Sequence, residues 1–190
     1  MADSKVILVL GAGRSSSSLI AHLLGQADQE GWEIHVGDLS LEAAQSKVGD
    51  HPRGHAFQLA SDGVADRNAR IAQADLVISM LPAFMHVDVA KAAIEAGVNV
   101  ITPSYVSPEM KALDGAARDA GVLVLNELGL DPGIDHMSAM QVIDEIRSEG
   151  GRILGFQSYC GGLVAPDSDD NPWHYKLSWN PRNVVLAGQG

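Results

Sequence analysis

Along the first 125 residues, short apolar runs alternate with longer segments whose apolar positions recur at helical spacing. The runs are Val6-Ile7-Leu8-Val9-Leu10 and residues 32–37, 55–59, 76–81, 98–101 and 122–125. The first is apolar at every position, as expected of a strand covered on both faces in a parallel sheet. The pattern predicts a helix after the turn that follows Leu10, then helices over 41–48, 64–74, 85–96 and 108–120. The last two stop at Gly97 and Gly121, residues suited to a left-handed C-terminal cap. Six strands with interleaved helices predict an α/β fold, a doubly wound parallel sheet with right-handed crossovers. Farther on, Asp131-Pro132-Gly133 predicts the start of a helix to about 148, with Asp131 as N-cap and Pro132 at the first helical position. Gly150-Gly151 would end it, and 153–159 reads as a strand. The pattern changes near 150. The expected organisation is therefore a dinucleotide-binding domain over 1–149 and the beginning of a second, α+β substrate domain over 150–190. A free-standing domain of about 40 residues would have too little core, so the chain is expected to be the N-terminal part of a longer protein.

The turn after the first strand carries the candidate chemistry. Gly11-Ala12-Gly13, followed by Arg14, Ser15 and Ser16, opens a helix directly after a strand. That arrangement belongs to the Rossmann nucleotide fold. Gly11 permits the tight turn, and Gly13 has no Cβ to hold a pyrophosphate away from the helix-start N–H groups. Ser16 stands at the third glycine position, small enough for close packing. Asp38 ends the second strand, where a carboxylate can accept ribose hydroxyls. A 2′-phosphate beside it would be repelled, so NAD is the expected cofactor, with NADP left open by Arg14. Ligands in such sheets lie outside the C-terminal strand ends. Leu81 and Pro82 are accordingly expected along the cofactor, and Ser104 and Tyr105 are expected to offer hydroxyls to a substrate.

Composition narrows the partners. The 190 residues carry a formal charge of −11 with 46% hydrophobic and 19% charged residues, which argues against nucleic-acid binding. No apolar run approaches the roughly 20 residues of a membrane span. The short polar N-terminus predicts no signal peptide, and the single cysteine, Cys160, fits a reducing compartment. A cytoplasmic protein is expected, and a homodimer stays open. A Tyr-x-x-x-Lys pair is absent, since Glu109 stands at the lysine position after Tyr105. No zinc spacing occurs. Asp135 and His136 are expected on different helix faces, so no metal is predicted there. Cys160 is expected as a small buried thiol. Trp173, Tyr175 and Trp179 read equally as a stacking wall or a half-buried strand.

Further blocks carry a resemblance. Asn126-Glu127-Leu128-Gly129-Leu130-Asp131-Pro132-Gly133-Ile134-Asp135-His136-Met137 resembles the signature of the saccharopine dehydrogenase family. Ser158-Tyr159-Cys160-Gly161-Gly162-Leu163, Asn171-Pro172 with Tyr175-Lys176, Ser178 and Trp179, and residues 76–82 and 102–108 resemble other family blocks. Val164 departs from the family's usual proline, Trp173-His174 is an unusual filling, and the family continues well past residue 190. The resemblance implies an oxidoreductase of lysine metabolism interconverting saccharopine with glutamate and 2-aminoadipate 6-semialdehyde. It implies a small-molecule substrate and cofactor contacts at Gly11, Ala12, Gly13, Asp38, Leu81, Pro82, Leu130, Asp131 and Pro132. Ser104, Tyr105 and Asp131 would contact substrate, with Asp131 and Tyr105 as the catalytic candidates. Glu127, His136 or a water stay open as the general base, and Lys176 and Arg182 as carboxylate partners. Two rival readings remain: a carboxynorspermidine or homospermidine synthase, and a nucleotide-binding module without turnover.

Overall fold

The computed structural model describes residues 4–60, 63–162 and 164–176. Six strands form one sheet: β1 (Lys5–Leu10), β2 (Trp32–Asp38), β3 (Gly54–Gln58), β4 (Leu76–Ser79), β5 (Asn99–Ile101) and β6 (Val124–Leu125). All pairings are parallel, in the order β3-β2-β1-β4-β5-β6. The helices are α1 (Ser17–Glu30), α2 (Leu41–Val48), α3 (Val64–Ile71), α4 (His86–Ala96), α5 (Pro108–Lys111), α6 (Asp114–Ala120) and α7 (Ile134–Ser148). This is the doubly wound parallel sheet the sequence predicts. Strand order reverses between β1 and β4, and the crevice at that switch point is where such sheets take their ligands.

The period of two in a strand divides the core into two layers. Leu8 and Leu10 of β1 and Val77 of β4 pack with Ile71, Val89, Ala90, Ala93 and Val100 on one face. Ile7 and Val9 of β1 and Ile78 of β4 pack with Ile20, Leu23, Leu24, Ala27, Ile34 and Val36 on the other. Val9, Leu10, Ile20, Ile34 and Val77 are wholly buried. Each such side chain contributes about 1.5–3 kcal/mol by leaving water. Gly97 and Gly121 form left-handed C-terminal caps as read, and Gly31 caps α1 in the same way.

Four predicted features change. The helix over 108–120 is two helices, α5 and α6, separated by a turn at Ala112-Leu113; the break lets Met110 and Leu113 both reach the same core. The helix over 64–74 ends at Ile71, because Gln73 and Ala74 donate three residues back instead of four. Asp131 and Pro132 do not start α7. They lie in the preceding turn, joined by a cis peptide bond, and Asp135 in the first turn of α7 reaches back to accept the N–H of Gly133, just before the helix, on its Oδ1 at 3.0 Å. The strand over 153–159 does not form: a strand exists only where a neighbour completes its hydrogen-bond ladder, and these residues have none among those described. The chain divides into two compact units, Met1–Met137 and Ser138–Gly190.

Candidate functional site

The glycine turn sits at the tip of β1. Gly11 has φ +108°, and a Cβ on it would lie 2.8 Å from the Met80 carbonyl oxygen just beyond β4. Only glycine meets both demands. Gly13 differs: a Cβ there would meet no protein atom within 4 Å, so its bareness serves whatever approaches the turn from outside. Residues Arg14–Ser16 form a 3₁₀ turn that runs into α1. Ser16 is buried and donates its hydroxyl to the Gly13 carbonyl at 2.8 Å, which fits the close packing expected at the third glycine position. Arg14 and Ser15 are exposed. The first N–H groups of a helix have no intrahelical acceptor and attract anions. Open backbone at Gly13 followed by such donors fits the diphosphate of a dinucleotide.

Asp38 ends β2 and faces this turn. Its Oδ2 accepts the Ala12 N–H at 2.7 Å and its Oδ1 accepts the Ser40 N–H at 2.9 Å. The carboxylate thus ties the glycine turn to the loop before α2, and each oxygen keeps a lone pair for a ligand hydroxyl. Leu39 beside it is 63% exposed. Sequence reading missed one cation here. Lys47, in the last turn of α2, donates from Nζ to the Ser17 hydroxyl at 2.7 Å and so places a positive charge at the start of α1. Nothing in its spacing announces that reach.

Beyond β4, Leu81 packs against the core while Pro82 is exposed at the start of a 3₁₀ turn, Ala83–Met85. α4 follows, and its first residue is the larger omission of the sequence reading. His86 is 3% exposed. Its Nδ1 lies 2.8 Å from the Ser79 Oγ at the end of β4, and its Nε2 lies 2.8 Å from the Ser104 Oγ beyond β5. Burial pushes its pKa below the ordinary value, favouring the neutral ring. One signal was available: His86 shares the buried face of α4 with Val89, Ala90 and Ala93, three, four and seven positions on. Ser104 is held further by its N–H on the Thr102 hydroxyl, 3.3 Å, and by its carbonyl accepting the Glu127 N–H at 3.0 Å. Tyr105, next in sequence, is 63% exposed.

The segment after β6 folds against this point. Leu128 donates to the Thr102 carbonyl, and the Glu127 carboxylate accepts the Val106 N–H at 3.2 Å. Gly129 and Gly133 close a tight loop in which a Cβ on Gly133 would overlap the Gly129 backbone. Leu130 and Asp131 are exposed on that loop and Pro132 is half-buried. Asp135 and His136, expected on different faces, instead touch: His136 Nδ1 lies 2.7 Å from Asp135 Oδ1, because the imidazole can turn back along the helix start. That hydrogen bond, with the charges of Asp135, Asp131 and Glu127, raises the His136 pKa. Asp131, Asp135 and His136 bring their ligand atoms within 4.8 Å of one another. The β1, β4, β5 and β6 ends therefore gather Gly11, Ala12, Gly13, Leu81, Ser104 and Glu127, with Asp38 at the β2 end.

In the second unit Cys160 is exposed, not buried; the segment around it forms no helix or strand that would cover it. Lys176, a candidate carboxylate partner, is paired with Asp170 at 2.9 Å. Trp173 is 81% exposed, and the Tyr175 ring lies against Gly162. Trp179 and Arg182 lie outside the described residues.

The chain is similar to known proteins. Residues 7–125 match the saccharopine dehydrogenase NADP binding domain and residues 129–190 the saccharopine dehydrogenase C-terminal domain. A saccharopine dehydrogenase [NADP(+), L-glutamate-forming] from Pyricularia oryzae is 43% identical over 97% of this chain and 40% of its own length. A mitochondrial alpha-aminoadipic semialdehyde synthase from Bos taurus is 41% identical over 98% of this chain and 20% of its own. The solved apo saccharopine dehydrogenase (L-Glu forming) from Saccharomyces cerevisiae superposes with a TM-score of 0.82 at 39% identity, over 97% of this chain and 40% of that one. The dehydrogenase WlbA of Chromobacterium violaceum, at 23% identity and TM-score 0.58, shares the fold alone. This chain spans about two fifths or less of these relatives and has no helix, among the described residues, long and apolar enough to cross a membrane. With both domain signatures in order on a parallel sheet of the nucleotide-binding kind, the chain belongs to the saccharopine dehydrogenase family.

Proposed function

We propose that this chain is the dinucleotide-binding part, and the beginning of the substrate part, of an NAD-preferring saccharopine dehydrogenase that forms L-glutamate. Residues 1–149 would serve the cofactor and 150–190 would open the substrate domain. A nicotinamide dinucleotide, when bound, supplies the hydride acceptor. Saccharopine's secondary amine is oxidised to an imine, which water hydrolyses to glutamate and 2-aminoadipate 6-semialdehyde. The chain's own groups bind and orient. Gly11, Ala12, Gly13, Arg14, Ser15 and Ser16 take the diphosphate, Asp38 the adenosine ribose, and Leu81, Pro82, Leu130, Asp131 and Pro132 the nicotinamide half. Ser104, Tyr105 and Asp131 meet the substrate, and Asp131 and Tyr105 act at the reacting amine. Family membership supports the reaction. The single observation carrying the NAD preference is Asp38, a fixed carboxylate at the tip of β2.

The segment after Asp38 reads Leu39-Ser40-Leu41-Glu42 and contains no cation to offset the repulsion between a 2′-phosphate and the Asp38 carboxylate. A second reading, NADP, draws on the fungal relatives, whose names carry NADP(+), and on Arg14 and the inward-reaching Lys47. Steady-state turnover of saccharopine by the full-length protein with each cofactor separates the two. A higher kcat/KM with NADP would overturn the NAD reading. Turnover of polyamine precursors in place of saccharopine would overturn the reaction.

A further inference from the structure

Ser104 is read above as a substrate contact, and the following rests on that reading. The hydroxyls of Ser79 and Ser104 and the ring of His86 form one line: Ser79 Oγ to Nδ1, then Nε2 to Ser104 Oγ, each 2.8 Å. Ser79 has no exposed surface and His86 is its sole side-chain partner among the described residues. A neutral imidazole carries one proton and offers one acceptor, so only two polarities of this line exist. If Nδ1 carried the proton, Ser79 would accept it, and the Ser79 O–H would be a buried donor with nothing to donate to. Leaving such a donor unmade is costly, whereas an oxygen lone pair left over is milder. With the proton on Nε2, Ser79 donates to Nδ1, His86 donates to Ser104, and every buried proton in the line is used.

That polarity determines what Ser104 can do. Its oxygen already accepts from His86, its N–H and carbonyl are taken by Thr102 and Glu127, and its O–H is the one proton of the line with no protein acceptor among the described residues, left to point at a ligand. We propose that His86 is a positioning residue: through the Ser79–His86–Ser104 line it fixes Ser104 as a hydroxyl donor aimed at an acceptor oxygen of the bound ligand, and it does not take a proton from Ser104. The acceptor chemistry is a carboxylate or carboxamide oxygen, from the amino-acid substrate or from the cofactor's nicotinamide. A histidine serving as general base through Ser104 would require Nε2 bare, the opposite arrangement.

The test uses full-length protein and two independent readouts. Ring-¹⁵N histidine labelling should show the His86 proton on Nε2; a proton on Nδ1 overturns the proposal whatever the substrate proves to be. In kinetics, Ser104→Ala should weaken one ligand about 10–100-fold, the weight of one hydrogen bond to a charged group. A rise in KM for saccharopine assigns the acceptor to the substrate, and a rise in Kd for the dinucleotide assigns it to the cofactor. His86→Phe should produce the same loss, with nothing added in the double variant. His86→Gln, which sets an amide N–H₂ where Nε2 stood, should recover most of the loss and keeps the test valid if the Phe variant folds poorly. Losses that multiply in the double variant, a Gln variant no better than Phe, or a Ser104→Ala protein with unchanged KM and Kd each overturn the proposal. Absence of saccharopine turnover by the wild type would instead sink the proposed reaction, while the proton position still decides the line.

Discussion

The two halves of the strand-end crevice are built by different means. On the β1–β2 side the main chain does the work: bare backbone at Gly11 and Gly13, helix-start N–H groups, and Asp38 accepting from the N–H groups of Ala12 and Ser40. On the β4–β5 side a buried line of side chains, Ser79–His86–Ser104, sets one hydroxyl. The contrast matches the ligands proposed for each side. A diphosphate asks for several N–H donors on a convex turn, a task that glycines at fixed positions perform in any such sheet. A substrate asks for one donor in one orientation, which only packing against neighbouring elements can impose.

The largest expected effect breaks the first half. Gly11→Ala combines a left-handed backbone with a Cβ 2.8 Å from the Met80 carbonyl. It should destabilise the protein by about 2–4 kcal/mol, read as a lowered urea midpoint. Gly13→Ala, with open space around its Cβ, should leave that midpoint within about 0.5 kcal/mol of wild type while weakening dinucleotide binding in calorimetry. Equal midpoints for the two variants would show that Gly11 is not held by β4. Asp38→Ala comes next. It releases the Ala12 and Ser40 N–H groups and removes the ribose acceptor, so NAD affinity should fall about tenfold or more and discrimination against NADP should relax. Leu39→Arg should raise NADP use without touching the glycine turn. If both leave cofactor preference unmoved, the β1–β2 side does not choose the cofactor.

The smallest effect concerns the second half and follows pH. Burial lowers the His86 pKa from 6.5, and burial, followed by the His55 charge, lowers that of His35. For a histidine with a depressed folded pKa, the unfolded chain binds the proton first as pH falls. The contribution of these rings is complete above 6.5 and is lost as pH drops from there through the folded values. Thermal midpoints should therefore decline below pH 6.5, and the decline should be shallower in His86→Gln. An identical slope in the variant would mean that His86 does not titrate against folding. His136 runs the other way: its raised pKa makes its pairing with Asp135 complete below pH 6.5, while that carboxylate stays ionised, and lost as pH rises through the folded value of the ring.

Much of the fold was legible because local patterns repeat. The all-apolar β1, the glycines closing α4 and α6, and the turn-plus-acid of Gly11 to Asp38 each follow from chemistry within a few residues or one βαβ unit. The same reasoning failed at 153–159, where apolar alternation promised a strand but no neighbouring strand completes a ladder among the described residues. Leu154, Phe156 and Tyr159 there are 82%, 60% and 88% exposed, so the pattern alone could not say what, if anything, would cover them.

Sequence by itself determined the order of strands and helices, the glycine turn and the acid at the tip of β2, since spacing of apolar and glycine residues encodes them locally. Only tertiary structure decided that Lys47 reaches Ser17 across 30 positions, that Asp75 anchors Lys5 across 70, and that His86 joins Ser79 to Ser104. Those pairings arise where parallel crossovers return segments distant in sequence to neighbouring strands and helices. A hydrogen bond there depends on three-dimensional placement to a few tenths of an ångström, which no linear spacing records.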